Sequence, residues 1–180
     1  MGRQYFQDGP YIDPQVANGS PLTATTAEAL WIAATFTPIF ANDPKAGKIY
    51  CIRAGGIIST AATASTLTLI PQYGVLGGTT LGTSVAQTVP ASLTNQPWFL
   101  CFDLVFRTIG AAGTNSTCIG TGSFVSAGTA ATAGNAFALS FGGTSAAVDA
   151  TINSGITFSK TLSVAGSVTV ISMICEKSEK

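Results

Sequence analysis

The sequence contains no histidine and few charged side chains. Of its 180 residues, 9% are charged, against about 25% in ordinary soluble domains. Without histidine the chain cannot build a Ser-His-Asp or Cys-His nucleophile, a histidine-containing zinc site or the most common general base. We therefore expect that the protein is not an enzyme.

The charges that are present balance each other. Eight basic and eight acidic residues give a formal net charge of zero, so we expect neither nucleic acid nor an anionic membrane surface as a partner. No apolar run reaches the roughly 18 residues of a membrane-spanning helix, yet the mean hydropathy is positive, +0.41. A chain so apolar and so poor in charge predicts burial against other protein chains, and we expect a homo-oligomer.

Residues Met1 to Glu28 contain glycine and proline at short intervals and no sustained period, which predicts an extended N-terminal arm. The arm nevertheless carries Tyr5, Phe6, Tyr11 and Ile12. Side chains of this size gain much from burial, so we predict that these four contact another surface. The first ten residues lack the apolar core and cleavage pattern of a signal peptide, and we expect no classical secretion.

The longest strand pattern is Gln96–Gly110, QPWFLCFDLVFRTIG. With period two, one face is apolar (Phe102, Leu104, Phe106) and the other is mixed (Cys101, Asp103, Val105, Arg107, Ile109). Asp103 and Arg107 are the only charges between Ala54 and Val148, and about 13 Å of strand separates them, so each needs its own partner. We predict Arg53 as the partner of Asp103, within or across subunits, and all three as interface residues.

Short strand patterns separated by Gly, Ser and Asn fill the rest of the chain. They are Leu30–Phe40, Lys48–Arg53, Ser65–Gly74, Leu81–Pro90, Cys118–Val125, Asn135–Phe141, Ala147–Ile152, Ile156–Leu162 and Val168–Glu176. We expect a bulge or bend at Gly55-Gly56, at most a helical turn at Thr25–Ala29, and no helix after residue 30. The pattern predicts an all-β sandwich or barrel, and we favour a jelly-roll-like β-sandwich over residues 29–180.

Few residues are candidates for chemistry. The cysteines, Cys51, Cys101, Cys118 and Cys175, lack C-x-x-C spacing, which favours free and mostly buried thiols over a metal site or disulfide. The glycine-rich segment Gly120–Ser123 resembles a phosphate loop only superficially and is expected to be a plain loop. Carboxylates for glycoside hydrolysis would have to come from Glu28, Asp43, Asp103 and Asp149. Side chains that could stack on sugar rings are Trp31, Tyr50, Tyr73 and Trp98, although such residues are more often core or interface anchors.

Three segments, Lys48–Thr60 (KIYCIRAGGIIST), Gly82–Leu93 (GTSVAQTVPASL) and Pro97–Gly110 (PWFLCFDLVFRTIG), resemble virion proteins of tailed bacteriophages. The resemblance is to small jelly-roll proteins that decorate heads or build fibres and spikes, and it covers about Trp31 to Glu176. It implies a cyclic homo-oligomer, usually a trimer, without cofactor or enzyme activity.

From this resemblance we expect a capsid decoration (cement) protein of the virion, assembled in the host cytoplasm. It would sit as a homotrimer on the outside of the head and bind the major capsid protein. The alternative is a receptor-binding, tail-fibre or baseplate protein that recognises host-surface glycan. A decoration protein is present in hundreds of copies per particle and a tip protein in a few, so copy number separates the two hypotheses.

Overall fold

The computed structural model describes residues 21–23, 26–30, 39–126 and 136–178. Within these ranges the chain forms ten strands and no helix, so none of the described residues form a helix able to cross a membrane. The strands are β1 (Glu28–Ala29), β2 (Ile49–Thr60), β3 (Ser65–Tyr73), β4 (Thr79–Thr80), β5 (Gln87–Val89), β6 (Gln96–Thr108), β7 (Ser116–Ser126), β8 (Phe137–Val148), β9 (Ile156–Leu162) and β10 (Gly166–Ser178).

The strands form two antiparallel sheets that pack face to face, which confirms the predicted all-β sandwich. Sheet A has the order β10-β2-β6-β7-β8, and sheet B has the order β1-β9-β3-β4, with β5 also paired to β3. The pairing is nested, because β2 pairs with β10 while the next strand inward, β3, pairs with β9. This nesting gives the sandwich its jelly-roll-like character, and β6, β7 and β8 complete sheet A as a meander.

The predicted central strand lies in the middle of sheet A as β6. Its apolar face is buried, with Phe102, Leu104 and Phe106 fully inaccessible to solvent. The Phe102 ring meets Phe158 of β9 edge-on at 5.1 Å between centroids and Phe141 of β8 at 6.0 Å. The period-two pattern is therefore confirmed, and the core lies between β6 and the strands of sheet B.

The segment Gly120–Ser123 belongs to β7, so the expectation of a loop there is wrong. A Cβ atom at position 120 would lie 2.3 Å from the Phe102 ring, and one at position 122 would lie 2.4 Å from the Cys101 carbonyl oxygen. These glycines are needed because the central phenylalanine and its backbone occupy the space that side chains would fill.

Two other glycine pairs also lie inside strands. Gly142 and Gly143 continue β8 with φ of 112° and 87°, at a register shift between β7 and β8. β8 therefore joins the predicted strand Asn135–Phe141 to Ala147 and Val148, and the rest of the predicted strand Ala147–Ile152 is not strand. β2 likewise runs through Gly55-Gly56, and the register shift falls on the neighbouring strand β10, between Val170 and Ser172. Glycine absorbs a bulge in both places without ending the strand.

The last residues of the predicted arm contact the sandwich. Glu28 and Ala29 form β1 and pair with Lys160 and Ser159 of β9, instead of a helical turn. The Lys160 ammonium lies 2.6 Å from the Glu28 carboxylate and is fully buried, and Leu22 forms a bridge with Val168. Four of the predicted interface residues lie outside the described residues: Tyr5, Phe6, Tyr11 and Ile12.

Candidate interaction surface

The face of sheet A that points away from sheet B is partly exposed and carries both apolar and polar side chains, and we call it the outer face. Its exposed large apolar side chains are Phe99, Val125 and Ile174, with 52, 42 and 38% of their surface accessible. The alternation of buried and accessible positions adds four half-buried apolar side chains to it: Ile49, Ile57, Val105 and Ile119. An apolar sheet surface open to solvent is typical of a site of protein contact.

Strand register arranges the outer face in bands. Phe99 and Val125 are neighbours across β6 and β7 and form one apolar band. A second apolar band joins Ile49, Val105 and Ile119 across β2, β6 and β7. A mostly polar band lies between them. One row contains Ile174, Arg53, Cys101 and Ser123, and the next contains Glu176, Cys51, Asp103 and Thr121.

The polar band contains two of the predicted interface residues, Arg53 and Asp103, but does not pair them. Register sets Arg53 opposite Cys101, and its guanidinium lies 3.8 Å from the Glu176 carboxylate, both side chains being about half exposed. Asp103 lies directly opposite Cys51. The Arg53–Asp103 pair is therefore wrong within one chain, because the neighbouring strand β10 supplies the carboxylate, and the pair across subunits stays a prediction.

Arg107 lies at the end of β6, where the register with β7 shifts between Phe106 and Thr108. The shift makes Arg107 the extra residue of a bulge, and its side chain is exposed. Among the described residues it has no ion-pair partner. An exposed cation beside the second apolar band is suited to a contact with another chain, as the sequence predicts.

The four cysteines divide into two pairs. Cys118 and Cys175 are buried in the core, whereas Cys51 and Cys101 are half-buried on the outer face, and none is in a disulfide. Burial raises the pKa of Cys118 and of Cys175 to about 12. Burial, and then the hydrogen bond to Asp103, raise the pKa of the Cys51 thiol to about 12 as well. The expectation of buried thiols is therefore confirmed for Cys118 and Cys175, whereas Cys51 and Cys101 are only half-buried.

The aromatic residues considered for sugar stacking are core residues wherever the structure describes them. Tyr50, Tyr73 and Trp98 are all buried, and Trp98 stacks on Phe124 with 5.0 Å between ring centroids. Trp31 lies outside the described residues. A ring enclosed between two sheets cannot offer its face to a glycan.

The carboxylates considered for catalysis have separate structural partners. Glu28 pairs with Lys160, and Asp149 accepts hydrogen bonds from the backbone N–H and hydroxyl of Thr151 at 2.8 and 2.7 Å. These hydrogen bonds hold the pKa of Asp149 below its ordinary value. Both side chains therefore fix local structure at different points of the chain.

A charge cluster centred on Asp43, in the turn before β2, has no signal in the sequence pattern. Its carboxylate lies 2.6 Å from the Lys48 ammonium and 3.0 Å from the Lys177 ammonium, and it accepts a hydrogen bond from the Tyr50 hydroxyl at 2.8 Å. Partial burial raises the pKa of Asp43, but the hydrogen bonds from Lys48, Lys177 and Tyr50 outweigh it and lower the pKa to about 2. The cluster ties this turn to the end of β10, which is a structural role.

Comparison with protein-family models, with curated proteins and with solved structures finds no match to this chain. Any interpretation of the outer face therefore rests on its own geometry. Exposed large apolar side chains beside charged groups of both signs make this face the candidate surface for contact with another protein chain.

Proposed function

We propose that the protein is a structural, non-catalytic virion subunit, a capsid decoration protein that forms a homotrimer on the outside of a phage head. The observation that carries this proposal is the exposed apolar outer face of sheet A. Large apolar side chains that are neighbours on a rigid sheet are costly for a free monomer and favourable once another chain covers them. In a closed cyclic oligomer, each copy covers the outer face of a neighbour.

The residues of the outer face fit the parts of such a contact. Phe99 is a large aromatic side chain that projects from the central strand, the kind of residue that anchors protein interfaces. Arg53, Asp103, Glu176 and Arg107 provide two charges of each sign on or beside the face. Such a pattern fixes orientation and partner choice more than affinity.

Attachment to the shell is assigned to the N-terminal arm. Tyr5, Phe6, Tyr11 and Ile12 would bind the major capsid protein, and three arms on one trimer would add their binding through effective concentration. A subunit that binds only the assembled shell stabilises it by mass action, by RT ln(1 + [L]/Kd) at each site. The mechanism requires binding alone.

The alternative, a receptor-binding or tail-fibre protein that recognises glycan, is less well supported. Three of its four candidate stacking residues are buried in the core. No described feature of the outer face favours sugar over protein, so we retain this function only as an outcome of the test.

Copy number in purified virions tests the proposed function. A stain-calibrated gel of whole particles should show hundreds of copies of the chain, in proportion to the major capsid protein. A few copies per particle would identify a tail or tip protein, and complete absence would remove the virion assignment.

A shortened chain tests the arm separately. A variant beginning at Thr26 keeps Glu28 and its ion pair with Lys160, so it should remain folded and trimeric but fail to sediment with expanded shells. Normal occupancy of the shells by this variant would show that the sandwich itself, and not the arm, binds the capsid.

A further inference from the structure

Two thiols and a carboxylate meet in the polar band of the outer face. Cys51 of β2 lies directly opposite Asp103 of β6, and Cys101 is two residues from Asp103 on the same face of β6. The two sulfur atoms and a carboxylate oxygen all lie within 4.8 Å of one another. Because adjacent strands of a packed sheet hold all three residues, this arrangement exists before any ligand binds.

We propose that Cys51, Cys101 and Asp103 form a binding site for a borderline-soft divalent cation of the Zn²⁺ type. Thiolate and carboxylate are both common ligands of zinc, and a thiolate pair selects against Mg²⁺ and Ca²⁺, which prefer oxygen ligands only. The site supplies three protein ligands and leaves the fourth tetrahedral position for water or for a group of the neighbouring copy that the proposed trimer places on this face.

The distances suit such an ion after a small adjustment. Zinc–sulfur bonds of about 2.3 Å in a tetrahedral site bring two sulfur atoms to about 3.8 Å from each other. Starting from separations within 4.8 Å, the ligand atoms need to close by about 1 Å or less. Rotation of half-buried side chains achieves this without movement of the strands.

A divalent cation would offset most of the negative charge around the site. Two thiolates, Asp103 and Glu176, which lies directly opposite Cys51, bring four negative charges, and the cation together with Arg53 leaves one. Arg53 lies directly opposite Cys101 and two residues from Cys51 on β2, where its guanidinium can donate to a ligating sulfur. A donor to a ligating sulfur is the outer-shell contact that orients metal ligands and tunes their affinity.

Binding is an exchange of protons for the ion. Without metal, a cysteine thiol carries a hydrogen on its sulfur. The ion takes the place of that hydrogen, and each thiol that becomes a ligand releases one proton to the buffer, with no change of oxidation state.

The test is titration of the full-length protein with Zn²⁺ in the presence of a phosphine reductant, against a chromophoric chelator. The number of free thiols is counted first, so that a Cys51–Cys101 disulfide is recognised. Co²⁺ serves as a spectroscopic probe, since thiolate coordination gives near-ultraviolet charge-transfer absorption. The variants are Cys51→Ser, Cys101→Ser and Asp103→Asn, and each retains Cys118 and Cys175 as an internal control for thiol binding elsewhere.

We expect one Zn²⁺ per chain with a Kd below about 10 μM, and thiolate absorption with Co²⁺. Each variant should keep the wild-type circular dichroism spectrum. Its affinity for Zn²⁺ should fall by at least roughly tenfold to hundredfold, since that much is already lost when a group that only contacts a metal ligand is changed. Weaker binding by the wild type, equal binding by a folded Cys51→Ser, Cys101→Ser double variant, or a disulfide that resists the reductant would each overturn the proposal. None of these outcomes depends on whether the protein belongs to a virion.

Discussion

Replacement of Asp43 by asparagine should destabilise the protein because it removes a charge on which two lysines converge. The carboxylate lies 2.6 Å from the Lys48 ammonium, and the Lys48 side chain is almost completely buried. Lys177 contacts the other carboxylate oxygen at 3.0 Å, and the Tyr50 hydroxyl donates to it at 2.8 Å. The substituted amide would keep the size of the side chain while losing its charge.

The loss in free energy of unfolding can be calculated in two ways. Lowering the pKa of Asp43 from 3.8 to about 2 corresponds to about 2 kcal/mol of stability at neutral pH. Taking the partner charge from a buried lysine costs about 3–5 kcal/mol in other proteins. We therefore expect a loss of about 2–5 kcal/mol, which lowers the melting temperature by at least about 4 °C in a chain of this length.

The pH dependence has a defined sign. Because the folded pKa of Asp43 lies below its ordinary value, its stabilising contribution is complete above about pH 4 and is lost as the pH falls through about 2. The asparagine variant has no such contribution to lose. The gap in melting temperature between wild type and variant should therefore be widest near neutral pH and should narrow toward about pH 2.

Thermal unfolding followed by circular dichroism measures this effect, with Glu176→Gln as the matched control. Glu176 also pairs with a cation, but both partners are about half exposed, so its loss should change the melting temperature little. The reasoning fails if Asp43→Asn melts within about 1 °C of the wild type near neutral pH, or if the gap is independent of pH.

Three further predictions concern the core and the thiols. Gly120→Ala should lower the free energy of unfolding by about 1–3 kcal/mol, because the added Cβ would overpack against Phe102. In the control Gly55→Ala the nearest atom would lie 3.4 Å from the added Cβ, so this variant should melt no lower than the wild type. Equal melting temperatures of the two variants would contradict the packing argument. Glu28→Gln should lose about 3–5 kcal/mol because Lys160 is fully buried, and unchanged chemical denaturation would show that this ion pair contributes nothing. A thiol reagent should label four cysteines in denatured protein and fewer in native protein, and rapid labelling of all four in native protein would refute the assigned burial.

The fold was predictable from sequence wherever period-two patterning was strong. β6 and β9 lie where their patterns place them, because each has one side that must face the other sheet. The errors fall at glycines. Gly120 was assigned both to a strand, Cys118–Val125, and to a loop, and the strand is confirmed. Gly142, which lies between two predicted strands, is part of β8 at a bulge.

The candidate surface was predictable only in part. The strand pattern placed Asp103 and Arg107 on the accessible side of β6, but it could not show which residues of β2 and β10 lie beside them. That depends on register, which sets Cys51 opposite Asp103 and Glu176 beside Arg53. Lys177 reaches Asp43 from 134 residues away, and no local spacing indicates a contact of that kind.

The central claim, that the outer face of sheet A joins copies of this chain, is tested most directly by the solution mass of two matched variants. Val125→Lys places a charge in the first apolar band, whereas Val85→Lys makes the same change at a valine that is 85% exposed between β4 and β5, away from the outer face. Light scattering at micromolar concentration should give three times the 18.2 kDa chain mass for the wild type and Val85→Lys, and a smaller mass for Val125→Lys. A monomeric wild type, or a Val125→Lys protein that still forms the trimer, would contradict the account.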